Sequence, residues 1–163
     1  MPRIWGRLLL RLMVELRPST CLELGAGFGV SGLYQAAGLA LNGHGRLHTL
    51  DREPTLIPIA REGFTELGLE HWIEFTVGPI GETLPRVAAA AAPIDYALID
   101  AEHSEEATVF NFDTLRPHLA PGAIVAIDDI LSTGEMQRAW ETIRARPGNA
   151  LTMNLRRLGI VCV

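Results

Sequence analysis

Cysteine is scarce in this sequence: two residues in 163, Cys21 and Cys162, each inside an apolar, strand-like run. Two such thiols are expected to be core residues rather than a disulfide framework or metal ligands, so a reducing, cytoplasmic compartment is the default. Clustered Lys and Arg are also missing. With a formal charge of −5, the composition weighs against a nucleic-acid surface. No long uninterrupted apolar run opens the chain either. Arg3, Arg7 and Arg11 divide the N-terminal stretch MPRIWGRLLLRLMVELRPS, which leaves no signal-peptide core, and no membrane association is expected. There are no internal repeats and no low-complexity linker, and the length suits one domain spanning 1–163.

What is present is a regular alternation. In residues 1–18, Ile4, Leu8, Leu12 and Leu16 recur every four, which predicts a helix with one apolar face, ended by Pro18 and packed on a sheet. Strands are expected at Thr20–Leu24, Arg46–Asp51, Ile73–Val77, Ile94–Asp100 and Ala123–Asp128. Helices are expected over Val30–Leu41, from Pro54 to near Gly68, over Glu82–Ala92, from about Glu105 to Leu119, and over Glu135–Arg146. Five strand–helix units imply right-handed crossovers and a parallel sheet covered on both faces. The end departs from this rhythm. Ala150–Leu155 and Leu158–Val163 are separated only by Arg156 and Arg157, too little chain for a crossover, so they form an antiparallel hairpin. The expected fold is α/β: a Rossmann-like, doubly wound, seven-stranded sheet, mostly parallel with an antiparallel last strand.

The first strand runs into CLELGAGFGVSG, which carries two glycine fingerprints in different registers. Gly27, Gly29 and Gly32 fit G-x-G-x-x-G, the dinucleotide signature. Glu23, Gly25, Gly27 and Gly29 fit E-x-G-x-G-x-G, the signature for S-adenosylmethionine (AdoMet). Both registers use a glycine turn and helix N-terminus against the ligand, with an acidic residue, here Asp51, on the ribose. Three features favour AdoMet. The turn starts at Gly25, directly after the strand. Glu23 puts a carboxylate where a pyrophosphate gains nothing but a sulfonium and an ammonium do. A dehydrogenase would need a substrate domain, and none is expected from these residues after the sheet.

With the glycine motif, the acidic second strand and the terminal hairpin, the chain resembles class I AdoMet-dependent methyltransferases over nearly its whole length. After strand four there is no Asn/Asp-Pro-Pro-Tyr/Phe turn of base-modifying enzymes, and the Pro-Cys of cytosine C5 enzymes is also absent. The residues Ile99-Asp100-Ala101-Glu102-His103 and Ile127-Asp128-Asp129 instead resemble the small-molecule O-methyltransferases, particularly the metal-dependent type. The resemblance implies methyl transfer to a hydroxyl of a small molecule. It also implies a Mg²⁺ ion on Asp100, Asp128 and Asp129, with His103 or Glu102 taking the hydroxyl proton. Those carboxylates equally cap helices in metal-free relatives, and a metal-independent methyltransferase or a non-catalytic AdoMet-binding module are the alternatives. For the cofactor, the resemblance implies contacts from Glu23, Gly25, Ala26, Gly27, Ser31 (methionine part), Asp51 (ribose hydroxyls), Arg52 (adenine), Asp100 and Ala101. Gly78, Pro79 and Ile80 would offer apolar walls to adenine, leaving polar contacts to Glu82 or backbone. A single N-terminal helix is too little to roof an acceptor pocket, so a homo-oligomer, most simply a homodimer, is expected.

Overall fold

Strand parity sorts the apolar residues into two layers, one on each face of a single sheet. The structure is a computed structural model describing residues 2–163. Its elements are α1 (Arg3–Leu16), β1 (Thr20–Leu24), α2 (Val30–Asn42), β2 (Arg46–Asp51), α3 (Ile57–Glu66), β3 (Ile73–Val77), α4 (Ile80–Ala91), β4 (Ile94–Ile99), α5 (Glu105–Leu115), β5 (Leu119–Ile127), α6 (Gly134–Arg144), β6 (Leu151–Leu155) and β7 (Leu158–Cys162). The strand order is β3-β2-β1-β4-β5-β7-β6. β7 is antiparallel to both neighbours, and the other pairings are parallel. The expected Rossmann-like sheet and its terminal hairpin are both present.

Leu22 and Leu24 of β1 join the layer under α4, α5 and α6, with Leu84, Phe112 and Trp140. Cys21 joins the opposite layer with Leu9, Met13, Ala36, Leu39 and Phe64, beneath α1, α2 and α3. Cys21 is fully buried, and Cys162 is only half-buried. The order of winding reverses between β1 and β4, so the crevice at their C-terminal ends is where an open α/β sheet binds ligands. Leu24 is level with Leu50 on one side and Ile99 on the other, and Ile99 is level with Ile127. Four strands therefore deliver their next residues to one edge.

Four expected elements are shifted, β5 among them, which begins at Leu119 rather than Ala123. The seam of α1 is Gly6, Leu9 and Met13, whereas Ile4 and Leu16 are exposed. A strict four-residue repeat drifts by about 40° per step on a helix, so Ile4 and Leu16 cannot share a face with a straight partner. The true seam uses glycine: Tyr34 of α2 lies over Gly6, and Met13 lies over Gly38. Pro54 does not open α3. It sits in a turn in which the Thr55 N–H and hydroxyl both donate to Glu53 Oε1, at 3.1 and 2.7 Å. α5 stops at Leu115 because Arg116–His118, containing Pro117, continues as a single 3-10 turn.

Candidate active site at the ends of the central strands

The turn after β1 is built from backbone. Gly25 adopts φ +94, and its N–H donates to the Leu50 carbonyl at 2.8 Å, continuing the sheet ladder for one residue. A Cβ on Gly25 would overlap the backbone carbonyl of Asp100, so only glycine fits between β1 and β4. Above this turn is a cleft of about 350 Å³, lined by Gly25, Ala26, Gly27, Phe28, Val30, Ser31, Asp51, Arg52, Ile80, Asp100, Ala101 and Glu102. Its size suits a nucleoside-sized ligand. Asp51, closing β2, is preset by backbone: Oδ2 accepts from the Gly27 N–H at 2.7 Å and Oδ1 from the Glu53 N–H at 2.8 Å. Both oxygens keep lone pairs for further donors such as vicinal hydroxyls. Glycine backbone, a fixed carboxylate and apolar walls at Phe28, Val30 and Ile80 fit the AdoMet expected from the sequence.

Most of the expected cofactor residues line this cleft, but three do not. Gly78 and Pro79 lead into α4 behind Ile80, which alone of that trio reaches the wall. Glu23 is fully buried. It shares the face of β1 with Cys21, so its carboxylate turns beneath α2. There it accepts from Gln35 Nε2 at 2.7 Å and Thr49 Oγ1 at 2.8 Å. Burial pushes its pKa up to about 7, against the opposing donors Ser31, Thr49 and Gln35. Period-two alternation decides this, because a residue one position before the strand end faces a layer rather than the crevice.

The second half of the site gathers charge. Asp100 follows β4 and Asp128 follows β5, and the Asp128 N–H donates to the Ile99 carbonyl at 2.9 Å. Glu102, His103 and Asp129 all have positive φ (62, 41 and 54), conformations that non-glycine residues hold only where the surroundings enforce them. His103 Nε2 lies 3.3 Å from Asp100 Oδ1 and 3.6 Å from Asp129 Oδ2. Neither contact is aligned as a hydrogen bond, so the attraction is mainly electrostatic. The Asp100 carboxylate raises the imidazole above its ordinary pKa, with burial opposing. Burial in turn raises Asp100, while His103 pulls it back. Glu102 lies on the cleft wall, 4.0 Å from Arg52 Nη1. Ser104 caps α5 by accepting from the Ala107 N–H at 3.3 Å.

The metal triad expected from the sequence is not assembled. Arg157, from the β6–β7 turn, grips both oxygens of Asp128, with Nε to Oδ1 at 2.8 Å and Nη2 to Oδ2 at 2.7 Å. Its Nε also lies 3.3 Å from Asp129 Oδ1. Among the described residues no three His, Cys, Asp or Glu side chains converge as a metal requires. Mg²⁺ needs carboxylate oxygens free to meet it at about 2.0–2.1 Å. With both Asp128 oxygens bonded to the Arg157 guanidinium, these residues as arranged do not fit the ion. Arg157 and Trp5, which borders Asp100 and Asp128 with Leu9 and Leu158, were both missed in the sequence. One signal was available: all 14 basic residues are arginine and none is lysine, so any fixed cation in the site has to be arginine or histidine.

Comparison with known proteins gives a consistent result. Residues 22–130 match a family model described as "Methyltransferase domain". A catechol O-methyltransferase of Niastella koreensis is 30% identical over 129 residues, which are 78% of this chain and 57% of that protein. A catechol O-methyltransferase of Mycobacterium tuberculosis is 27% identical, over 79% of this chain and 56% of that protein. The chain thus spans a little over half the length of these curated relatives. The solved O-methyltransferase from Bacillus cereus in complex with SAH superposes with a TM-score of 0.84 at 21% identity. It covers all of this chain and 81% of that one, a likeness of fold.

Proposed function

The chain belongs to the methyltransferase-domain family, and from that premise we propose that it is an AdoMet-dependent O-methyltransferase acting on a hydroxyl of a small molecule, with 1–163 as one such domain. The observation that carries the reading is the continuity of the cleft: the glycine turn and Asp51 share its walls with Asp100 and Glu102. A ligand held by the first pair ends beside the cluster built on the second. The names of the curated relatives, catechol O-methyltransferases, support a phenolic or catecholic acceptor.

Gly25, Ala26, Gly27 and Ser31 would hold the methionine part of AdoMet, Asp51 the ribose hydroxyls, and Arg52 and Ile80 the adenine. Bound there, AdoMet would supply an activated methyl group on a sulfonium that leaves as a neutral thioether. Asp100 would offer its carboxylate on the wall of the same cleft. His103 takes the hydroxyl proton. With two carboxylates facing Nε2, the favoured neutral tautomer keeps its proton on Nε2, and Nδ1 is the atom that accepts. Its raised pKa makes it a stronger base than free imidazole. Glu102, paired across the mouth with Arg52, is the weaker candidate. No step is routed through Mg²⁺, because Arg157 holds Asp128, and this favours the metal-independent reading.

A homodimer is part of the same proposal, with the exposed Phe28 (63%) and Val30 (44%) on the rim of the glycine half as apolar surface that a second copy would cover. Light scattering showing a monomer at all concentrations would remove that part. Among the described residues no helix is long and apolar enough to cross a membrane. Free thiols at Cys21 and Cys162 support a cytoplasmic setting. Calorimetry with AdoMet, SAH and NAD, followed by labelled methyl transfer to a panel of phenols and catechols, tests the proposal. Binding of AdoMet and turnover of at least one hydroxyl acceptor are expected; NAD binding without AdoMet or SAH binding would refute it.

A further inference from the structure

We propose that Arg157 is the resident cation of the acidic site and excludes a divalent metal ion from Asp100, Asp128 and Asp129. Its functional consequence, methyl transfer independent of metal, rests on the reading above; the assignment of the cation does not.

The turn between β6 and β7 delivers the side chain. Arg156 takes φ +71, and its N–H donates to Asn154 Oδ1 at 2.8 Å, closing a tight hairpin. The Ile130 N–H then donates to the Arg157 carbonyl at 3.0 Å, tying that hairpin to the loop after β5. The guanidinium is thereby anchored at its backbone as well as its head. It meets Asp128 through two parallel N–H···O bonds, the geometry in which arginine holds a carboxylate best. The Asp128 side chain is only 5% exposed, so its charge needs a permanent partner.

Charge compensation agrees. Asp100, Asp128 and Asp129 carry three negative charges. Arg157 sets a permanent positive charge directly against Asp128 and Asp129. A divalent ion would therefore have to displace a tethered guanidinium from a buried carboxylate to supply a charge already present. The two N–H groups of Arg157 Nη1 meet no protein acceptor among the described residues and remain free for an acceptor oxygen.

Mn²⁺ serves as the probe, with the unbound ion followed by electron paramagnetic resonance, in the intact protein and in Asp128→Asn, Arg157→Ala and Arg157→Ala/Asp128→Asn variants. SAH calorimetry on each checks that the cleft is formed. The wild-type protein is expected to leave millimolar Mn²⁺ free. Arg157→Ala is expected to bind the ion at least about tenfold more tightly, and Asp128→Asn to abolish that gain. Stoichiometric Mn²⁺ binding by the wild type, lost in Asp128→Asn, would overturn the proposal without any Arg157 variant having to fold. An Arg157→Ala protein that binds SAH but gains no Mn²⁺ affinity would overturn it too. Absence of methyl transfer to every acceptor, with Mn²⁺ still excluded, would instead sink the functional reading and leave the cation assignment standing.

Discussion

The turn after β1 and the loop after β5 leave the same edge of one sheet, but different forces hold them. Around Gly25, N–H groups, carbonyls and a glycine φ of +94 do the work, and the single carboxylate, Asp51, is satisfied by two backbone donors. Around Asp128, three carboxylates face one another and are held by side-chain cations from a loop after β4 and a hairpin near the C-terminus. A backbone-built site relies on N–H and C=O groups that every residue except proline carries. A charge-built site draws partners from distant segments and titrates.

The largest test falls on the charged side. His103→Gln is expected to lower turnover on a verified acceptor by roughly 10²–10⁴-fold, the range for removing a general base. In the wild type, turnover should rise with pH through the raised His103 pKa, since only the neutral imidazole accepts a proton. A pH–rate profile unchanged by the substitution would show that the charged half plays no part in proton removal.

On the backbone side, Gly25→Ala is expected to cost roughly 2–5 kcal/mol in denaturant unfolding, from strain at positive φ plus overlap with the Asp100 carbonyl. Gly27→Ala, at φ +50 with open space around it, should cost only about 1–2 kcal/mol. Equal losses would mean that conformation, not the close approach of β1 to β4, is what demands glycine.

Glu23 lies between the two regimes, a buried charge under the backbone-built turn. Its folded-state pKa of about 7 exceeds the ordinary 4.5, so the native state binds more protons than the unfolded one between those values. Stability should fall as pH rises through that window and stay low above it. Glu23→Gln should be neutral below about pH 4.5 and stabilise by up to roughly 3 kcal/mol at pH 8. Chemical denaturation across pH measures this, and an unchanged slope would place the burden elsewhere.

Asp51→Ala should weaken cofactor affinity by about 1–3 kcal/mol, because it strips acceptors from desolvated hydroxyls; calorimetry reads it directly. The smallest effect is expected at Glu102→Gln. Its partner Arg52 is 4.0 Å away and mostly exposed, so stability should change by less than about 0.5 kcal/mol. Turnover should also persist. A loss as large as that of His103→Gln would return Glu102 to the role of base.

The glycine half of the site was readable because every part lies within a few residues of a strand end: Gly25 after Leu24, Ser31 in the next helix, Asp51 closing RLHTLD. Phe28 and Val30, its apolar rim, sat inside the same motif unremarked. The charged half was readable only as a list of acids. Asp100, Asp128, Asp129 and His103 were visible, but the counterion Arg157 was not, because nothing in its spacing ties it to residues 28 and 29 positions earlier.

The amino-acid sequence by itself determined the strand–helix alternation, the parallel sheet with its terminal hairpin, and the glycine turn with the aspartate that closes the second strand. These follow from apolar periodicity, connection length and the unique backbone freedom of glycine, all of which act within a few residues. Only the tertiary structure decided which face Glu23 occupies, which seam of α1 is buried, and whether the aspartates meet a metal or an arginine. Those outcomes depend on strand parity relative to a packed layer, on helix–helix contact, and on long-range Coulomb pairing that forms once the hairpin has folded back against β5.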